Sequence, residues 1–214
     1  MDLFTHLVEK FYKQTNTCFG VDPNIRGKWE QKIDIDVEGY DLQIQKYETP
    51  LLPLDLTPED VCFVPERREE RTTEGGLDVI GQYATIHEAA HRLMDAGVRV
   101  SLFIAPCLDQ IQKAIDMKVP VIEIHTGHYA EMEDDILRKK ELEKIKEAID
   151  FATSHGLIVN AGHGLHYENV QEIAAVKTID ELNIGHAIVA EALFVGWETA
   201  IKRMKAIITE VSGA

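Results

Sequence analysis

The chain has little sulfur, few cations and no long apolar run, and each shortage excludes something. Its 214 residues hold three cysteines, Cys18, Cys62 and Cys107. They are odd in number and too far apart for a disulfide framework, and each lies in or beside an apolar run, as reduced buried thiols do; a reducing cytoplasm is the expected location. No apolar stretch approaches the roughly 20 residues that cross a bilayer. The opening MDLFTHLVEKFYKQ is amphipathic with early acids, unlike a signal peptide, so a soluble protein with no membrane partner is expected. Lys and Arg total 22 against 37 Asp and Glu, a net charge of −15. No basic cluster stands out from that background to track a phosphate backbone, which argues against nucleic acid as a partner.

What is present is enough apolar residue, 45% of the chain, for one sizeable core. A single domain over residues 1–214 is expected, with 1–58 set apart from 59–214. From residue 59 onward, short β-branched runs alternate with stretches of helical period, the pattern of repeated βα units around a parallel sheet. Strands are predicted at Val61–Val64, Val98–Ile104, Val121–Ile124, Leu157–Asn160 and Glu181–Ile184. Helices are predicted at about Tyr83–Ala96, Leu108–Met117, Asp134–His155, Glu168–Ala175, His186–Phe194 and Thr199–Val211. Gly97 and Gly156 fall where a left-handed residue ends a helix. The strand runs are apolar on both sides of the pleat, so the sheet should be covered on both faces or closed into a barrel.

No GxGxxG follows the first of these strands, which favours a (β/α)₈ TIM barrel over a doubly wound sheet. A full barrel takes about 200 to 250 residues, and the first 58 would have to supply three strands. They read as a helix at Leu3–Lys13 and strands at Thr17–Val21, Lys32–Gly39 and Asp41–Gln45, with little helical cover. The barrel is therefore complete, or incomplete or rearranged in its amino-terminal region.

In such a barrel the reacting groups sit at the carboxyl ends of strands, and phosphates bind on the last two loops. Counted from the carboxyl terminus, those loops are NAGHG and NIGHA, each offering glycine beside histidine. Gly162, Gly164 and Gly185 admit backbone N–H groups close to an anion, and a helix start follows each loop. The plainer reading makes them helix-entry turns with ordinary loop histidines. IEIHTGHYAE ends another strand with Glu123 and His125 on one side of the pleat, either a hydrogen-bonded pair near a substrate or, with His128, the start of a metal site lacking a third ligand. HEAAH, His87 to His91, matches the zinc-protease pattern, but Ile86, Ala90, Leu93 and Met94 give it the apolar side of an outer helix. VPERREERTTEGGLDV is a long polar loop whose hydroxyls and amides suit a polar substrate, while its charge run Glu66–Arg71 suits a solvated surface.

The strings VPERREERTTEGGLDV, VSLFI, IEIHTGHYA, VNAGHGLHYENV and ELNIGHAIVAEALFVG, in this order, closely resemble the pyridoxine 5′-phosphate synthase family of vitamin B6 biosynthesis, from about Glu59 to the carboxyl terminus. The resemblance implies a (β/α)₈ barrel, an octamer in the family. It implies condensation of 1-deoxy-D-xylulose 5-phosphate with 3-amino-2-oxopropyl phosphate to pyridoxine 5′-phosphate, phosphate and water. No cofactor and no metal is implied. Carried over by motif, Thr72 contacts the deoxyxylulose phosphate and His163 is the proton donor. Gly164, Gly185 and His186 hold the aminoketone phosphate.

The first 58 residues depart from the family. Its GVNIDHxATLR strand leaves only CFGVDPNIRGK as an echo, with Asp22 and Arg26 as counterparts, and its HLREDRRHI strand end is missing; no histidine lies between His6 and His87. NTCFGVDPN also resembles the first strand of orotidine phosphate decarboxylase-like barrels. The family's catalytic glutamate falls on Glu38 of IDIDVEGY, while an alternative alignment places Gln43 there. The alternative function is a phosphate-binding barrel of the same family, catalytically impaired by loss of the second-strand histidine base.

Overall fold

The computed structural model describes residues 59–65 and 75–213 in full, together with the backbone of short strand pieces between residues 32 and 45. Those pieces are β1 (Lys32–Ile33), β2 (Asp36–Val37), β3 (Tyr40–Asp41) and β4 (Ile44–Gln45). β1 pairs antiparallel with β4, and β2 with β3. This corrects the reading of Lys32–Gly39 and Asp41–Gln45 as barrel strands. Two residues separate β2 from β3, a length that closes a hairpin, whereas parallel strands need a crossover of a dozen residues or more. The predicted helix at Leu3–Lys13 and strand at Thr17–Val21 lie outside the described residues.

The main body is an α/β unit around a five-stranded parallel sheet of β5 (Asp60–Phe63), β6 (Arg99–Ile104), β7 (Val121–His125), β8 (Ile158–Gly162) and β9 (Ile179–Asn183). Its spatial order is its chain order. A doubly wound sheet reverses direction at a switch point; this one progresses one way, as barrel strands do. β8 and β9 shift register between Val159 and Ala161. Among the described residues, β5 and β9 form the two edges of the sheet.

The strands alternate as the pleat requires. Val100, Leu102 and Ile104 of β6, with Ile122 and Ile124 of β7, are fully buried in the core on the helix-covered side. Helix α1 (Tyr83–Asp95) buries Ile86, Ala89, Ala90 and Leu93, the side its spacing predicted. Helix α2 (Leu108–Met117) buries Ile111, Ala114 and Met117. A five-residue helix, α3 (Gly127–Glu131), follows β7 and has no counterpart in the sequence reading. Helix α4 (Asp135–Ser154) begins where the Asp134 carboxylate accepts the N–H groups of Ile136 and Leu137 at 2.8 and 2.9 Å, a cap worth about 1 kcal/mol. Helices α5 (Val170–Ala174), α6 (His186–Val195) and α7 (Trp197–Ser212) complete the chain. Gly97 and Gly156, expected past helix ends, have φ of +86° and +85°. No helix among the described residues is long and apolar enough to cross a membrane.

Candidate active site

The other face of the sheet is polar. The register sets Cys62 beside Ser101, Phe103 beside Glu123, Glu123 beside Asn160, and His125 beside Gly162. At the carboxyl ends of the strands this face opens into a cavity of about 890 Å³. Cys62, Phe103, Glu123, His125 and Asn183 supply its sheet wall, and the loops carrying His163–Gly164 and Gly185–His186 supply its rim.

Two imidazoles meet there. The His125 and His163 rings lie with centroids 4.8 Å apart, and the Phe103 ring stands edge-on to His125 at 5.0 Å. Both rings are set by glycines that leave room for them. A Cβ at Gly75, the first glycine of TTEGG, would lie 2.6 Å from His125 Cε1, and one at Gly127 would lie 2.7 Å from His125 Cε1 and 2.8 Å from His163 Cδ2. His163 itself has φ of +81°, in the left-handed region that side chains other than glycine rarely adopt.

Below the histidines, Glu123 accepts a hydrogen bond from Asn183 Nδ2 at 2.9 Å, with the Cys62 thiol 3.9 Å from the same oxygen. Burial pushes the Glu123 carboxyl above the usual carboxylate range, against the pull of the Asn183 and Cys62 hydrogen bonds; the nearby Glu181 charge adds to the rise. Cys62, expected from its apolar run to be buried, is exposed, and Cys107 is only half-buried, because Cys62 lines the cavity and Cys107 stands just before α2, rather than in the helix-covered core. Desolvation of the Cys62 sulfur beside Glu123 still pushes its thiol up to about 12, so it stands there as a hydrogen-bond donor. The cavity thus holds two imidazoles that can pass protons and a carboxyl held above the usual carboxylate range.

The structure brings His163, Gly164, Gly185 and His186 to one rim, as the two-loop reading expected. Glu123 and His125 share one face of β7 and line the same cavity. Thr72 and Glu38 lie outside the described residues, although Gly75, three residues after Thr72, packs on His125. The metal readings are not supported. His128, on α3 rather than at the end of β7, has its Nδ1 3.7 Å from the buried Glu141 carboxylate of α4. In HEAAH, His87 and His91 stack at 4.1 Å, and a His91 ring nitrogen is 2.9 Å from the Met117 carbonyl at the end of α2. Among the described residues, no group of three or more His, Cys, Asp and Glu side chains could hold a metal ion. Sequence reasoning missed Asn183, Thr126 and Gly127; for Asn183 a signal existed, two residues before the glycine of NIGHA at a strand end.

Two solved structures show a limited similarity to part of this chain. The Amycolatopsis orientalis BexX/CysO complex is 16% identical, with a TM-score of 0.47 over 74% of this chain and 59% of its own. A mandelate oxidase variant with 2-hydroxy-phenylacetamide is 15% identical, with a TM-score of 0.39 over 59% of this chain and 36% of its own. The chain therefore spans less than two thirds of the length of either. The family model for pyridoxal phosphate biosynthesis protein PdxJ matches residues 35–210, which include both glycine–histidine loops, β7 and the described part of the TTEGG loop. The chain belongs to the PdxJ family of pyridoxal phosphate biosynthesis proteins.

Proposed function

We propose that this protein is a pyridoxine 5′-phosphate synthase, joining 1-deoxy-D-xylulose 5-phosphate and 3-amino-2-oxopropyl phosphate into pyridoxine 5′-phosphate with release of phosphate and water. The observation that carries the reading is the convergence of His163, His125 and Glu123 on one cavity whose rim is made by two glycine loops. Condensing an amine with a ketone, expelling water and phosphate, and closing an aromatic ring needs several proton transfers between groups close to neutrality. His163 is the proton donor in this scheme. The His125 imidazole beside it and the Glu123 carboxyl below exchange protons with the intermediates.

Both substrates carry phosphate, and the chain's charge of −15 leaves local donors to hold them. The amino end of α6 opens on the cavity through Asn183, Gly185 and His186, where the positive end of the helix dipole favours an anion. Among the described residues, no atom beyond its two chain neighbours lies within 4 Å of where a Cβ at Gly185 would stand, so that space suits a phosphate. Gly164 and His186 complete this cradle, Thr72 holds the deoxyxylulose phosphate, and Glu38 acts as a base. A closed barrel, a homo-oligomer and a cytoplasmic location belong to the same proposal.

The test is to incubate the purified protein with both substrates and monitor pyridoxine 5′-phosphate. Turnover that His163→Ala abolishes supports the synthase. Tight substrate binding without product overturns it in favour of a phosphate-binding barrel that has lost catalysis.

A further inference from the structure

We propose that Thr126 is a positioning residue for His163, holding the turn that presents its imidazole to the cavity; the proposal rests on the reading of His163 as the proton donor. Thr126 is fully buried and stands at the amino end of α3, the place where a threonine ordinarily caps its own helix. Here the side chain makes no capping bond. Its hydroxyl hydrogen is instead shared between the carbonyl oxygens of Gly162 and His163, each 2.7 Å away on the neighbouring loop. The Thr126 backbone N–H also donates to the Gly162 carbonyl at 2.8 Å.

Successive carbonyls in an extended strand point in opposite directions. For those of Gly162 and His163 to reach one hydroxyl, the chain must turn at residue 163, and its φ of +81° is that turn. Such a conformation persists in a residue with a side chain only where the surroundings over-determine it. The same segment adds two close fits: Gly127 leaves space for the His125 and His163 rings, and Gly164 accepts Ala130, whose Cβ lies 2.7 Å from where a Cβ at Gly164 would stand. Thr126 supplies the directional part of this contact, and the glycines supply its closeness.

The test compares Thr126→Val, which keeps the shape and deletes the hydroxyl, with Thr126→Ser, which keeps the hydroxyl. Two readouts are taken: the ring signals of His163 through a pH titration by NMR, assigned with His163→Ala, and kcat and KM for pyridoxine 5′-phosphate formation. Thr126→Val is expected to move the His163 signals and lower kcat on the order of tenfold to a hundredfold, as a small misplacement of a reacting group does, with KM changed less than about twofold. Thr126→Ser is expected to restore both. Unchanged His163 signals in folded Thr126→Val would overturn the proposal. Should the valine variant fail to fold, Thr126→Ser decides alone: wild-type signals support the role of the hydroxyl, and displaced signals refute it. If the wild-type protein makes no product, the synthase reading fails while the NMR comparison still tests the positioning.

Discussion

Replacing Gly127 by alanine separates the site from the fold more cleanly than any other substitution. Residue 127 is the first residue of α3 and does not have a positive φ, so alanine meets no backbone strain and gains roughly 0.5 to 1 kcal/mol of helix preference over glycine. The added methyl, however, would stand 2.7 Å from His125 Cε1, where ordinary contact begins at 3.4 Å. The rings must therefore withdraw by about 0.7 Å, the difference of those two distances. Both contacts are with imidazole atoms at the ends of side chains, which can swing at a cost of about 0.5 to 1.5 kcal/mol for a strained torsion. Two rings must move, so the cost is about 1 to 3 kcal/mol against that gain, leaving the variant roughly 1 kcal/mol less stable than wild type. Catalysis has no such compensation: misplacement by 1 Å costs on the order of a hundredfold, so 0.7 Å should lower kcat by tens of fold. Thermal unfolding and initial rates of pyridoxine 5′-phosphate formation measure the two quantities. A variant that kept wild-type kcat would refute the reasoning; so would one that lost many degrees of melting temperature, because the methyl would then be resisted by backbone rather than by the rings.

The raised Glu123 carboxyl predicts a pH-dependent difference in stability. A carboxyl whose pKa is higher folded than unfolded is neutral in both states at low pH, and becomes a destabilising buried charge as pH rises through the folded value. Glu123→Gln should match the wild type in urea midpoint below about pH 4 and become the more stable of the two as pH rises above the ordinary carboxylate range; a gap that is constant with pH would contradict this. Gly185→Ala should leave melting unchanged, since φ there is −116° and, among the described residues, no atom beyond its chain neighbours lies within 4 Å of the methyl, yet raise KM for a phosphorylated substrate about tenfold by crowding the anion approach. Unaltered KM would move the phosphate elsewhere.

The five parallel strands were readable because β-branched runs bounded by turns repeat at βα spacing, and each predicted strand lies within two residues of the observed one. Leu108–Met117 matched to the residue, since its apolar positions Ile111, Ala114 and Met117 leave no other face to bury. The five residues of α3 are too few to show a period, so that helix was invisible. The site was legible in part. Glycine beside histidine on two consecutive loops marked the rim, and alternation along β7 placed Glu123 with His125. What could not be read was the contact between Thr126 and His163, 37 residues apart, because sequence records neighbours along a strand and not those across loops. The amino-terminal expectation failed for a related reason: alternating residues suggest strands without saying whether they pair in a hairpin or by a crossover.

The left-handed backbone of His163 also bears on how this protein would respond to selection or design. At φ of +81° a glycine would be relaxed where the histidine is strained, by on the order of 1 kcal/mol. A search for stabilised variants would therefore favour replacing the one residue the proposed chemistry needs most, and its yield of sturdier proteins would come with a loss of turnover. Position 163 is where improvement of the fold and preservation of the activity pull in opposite directions, and any stabilised version of this chain should hold it fixed.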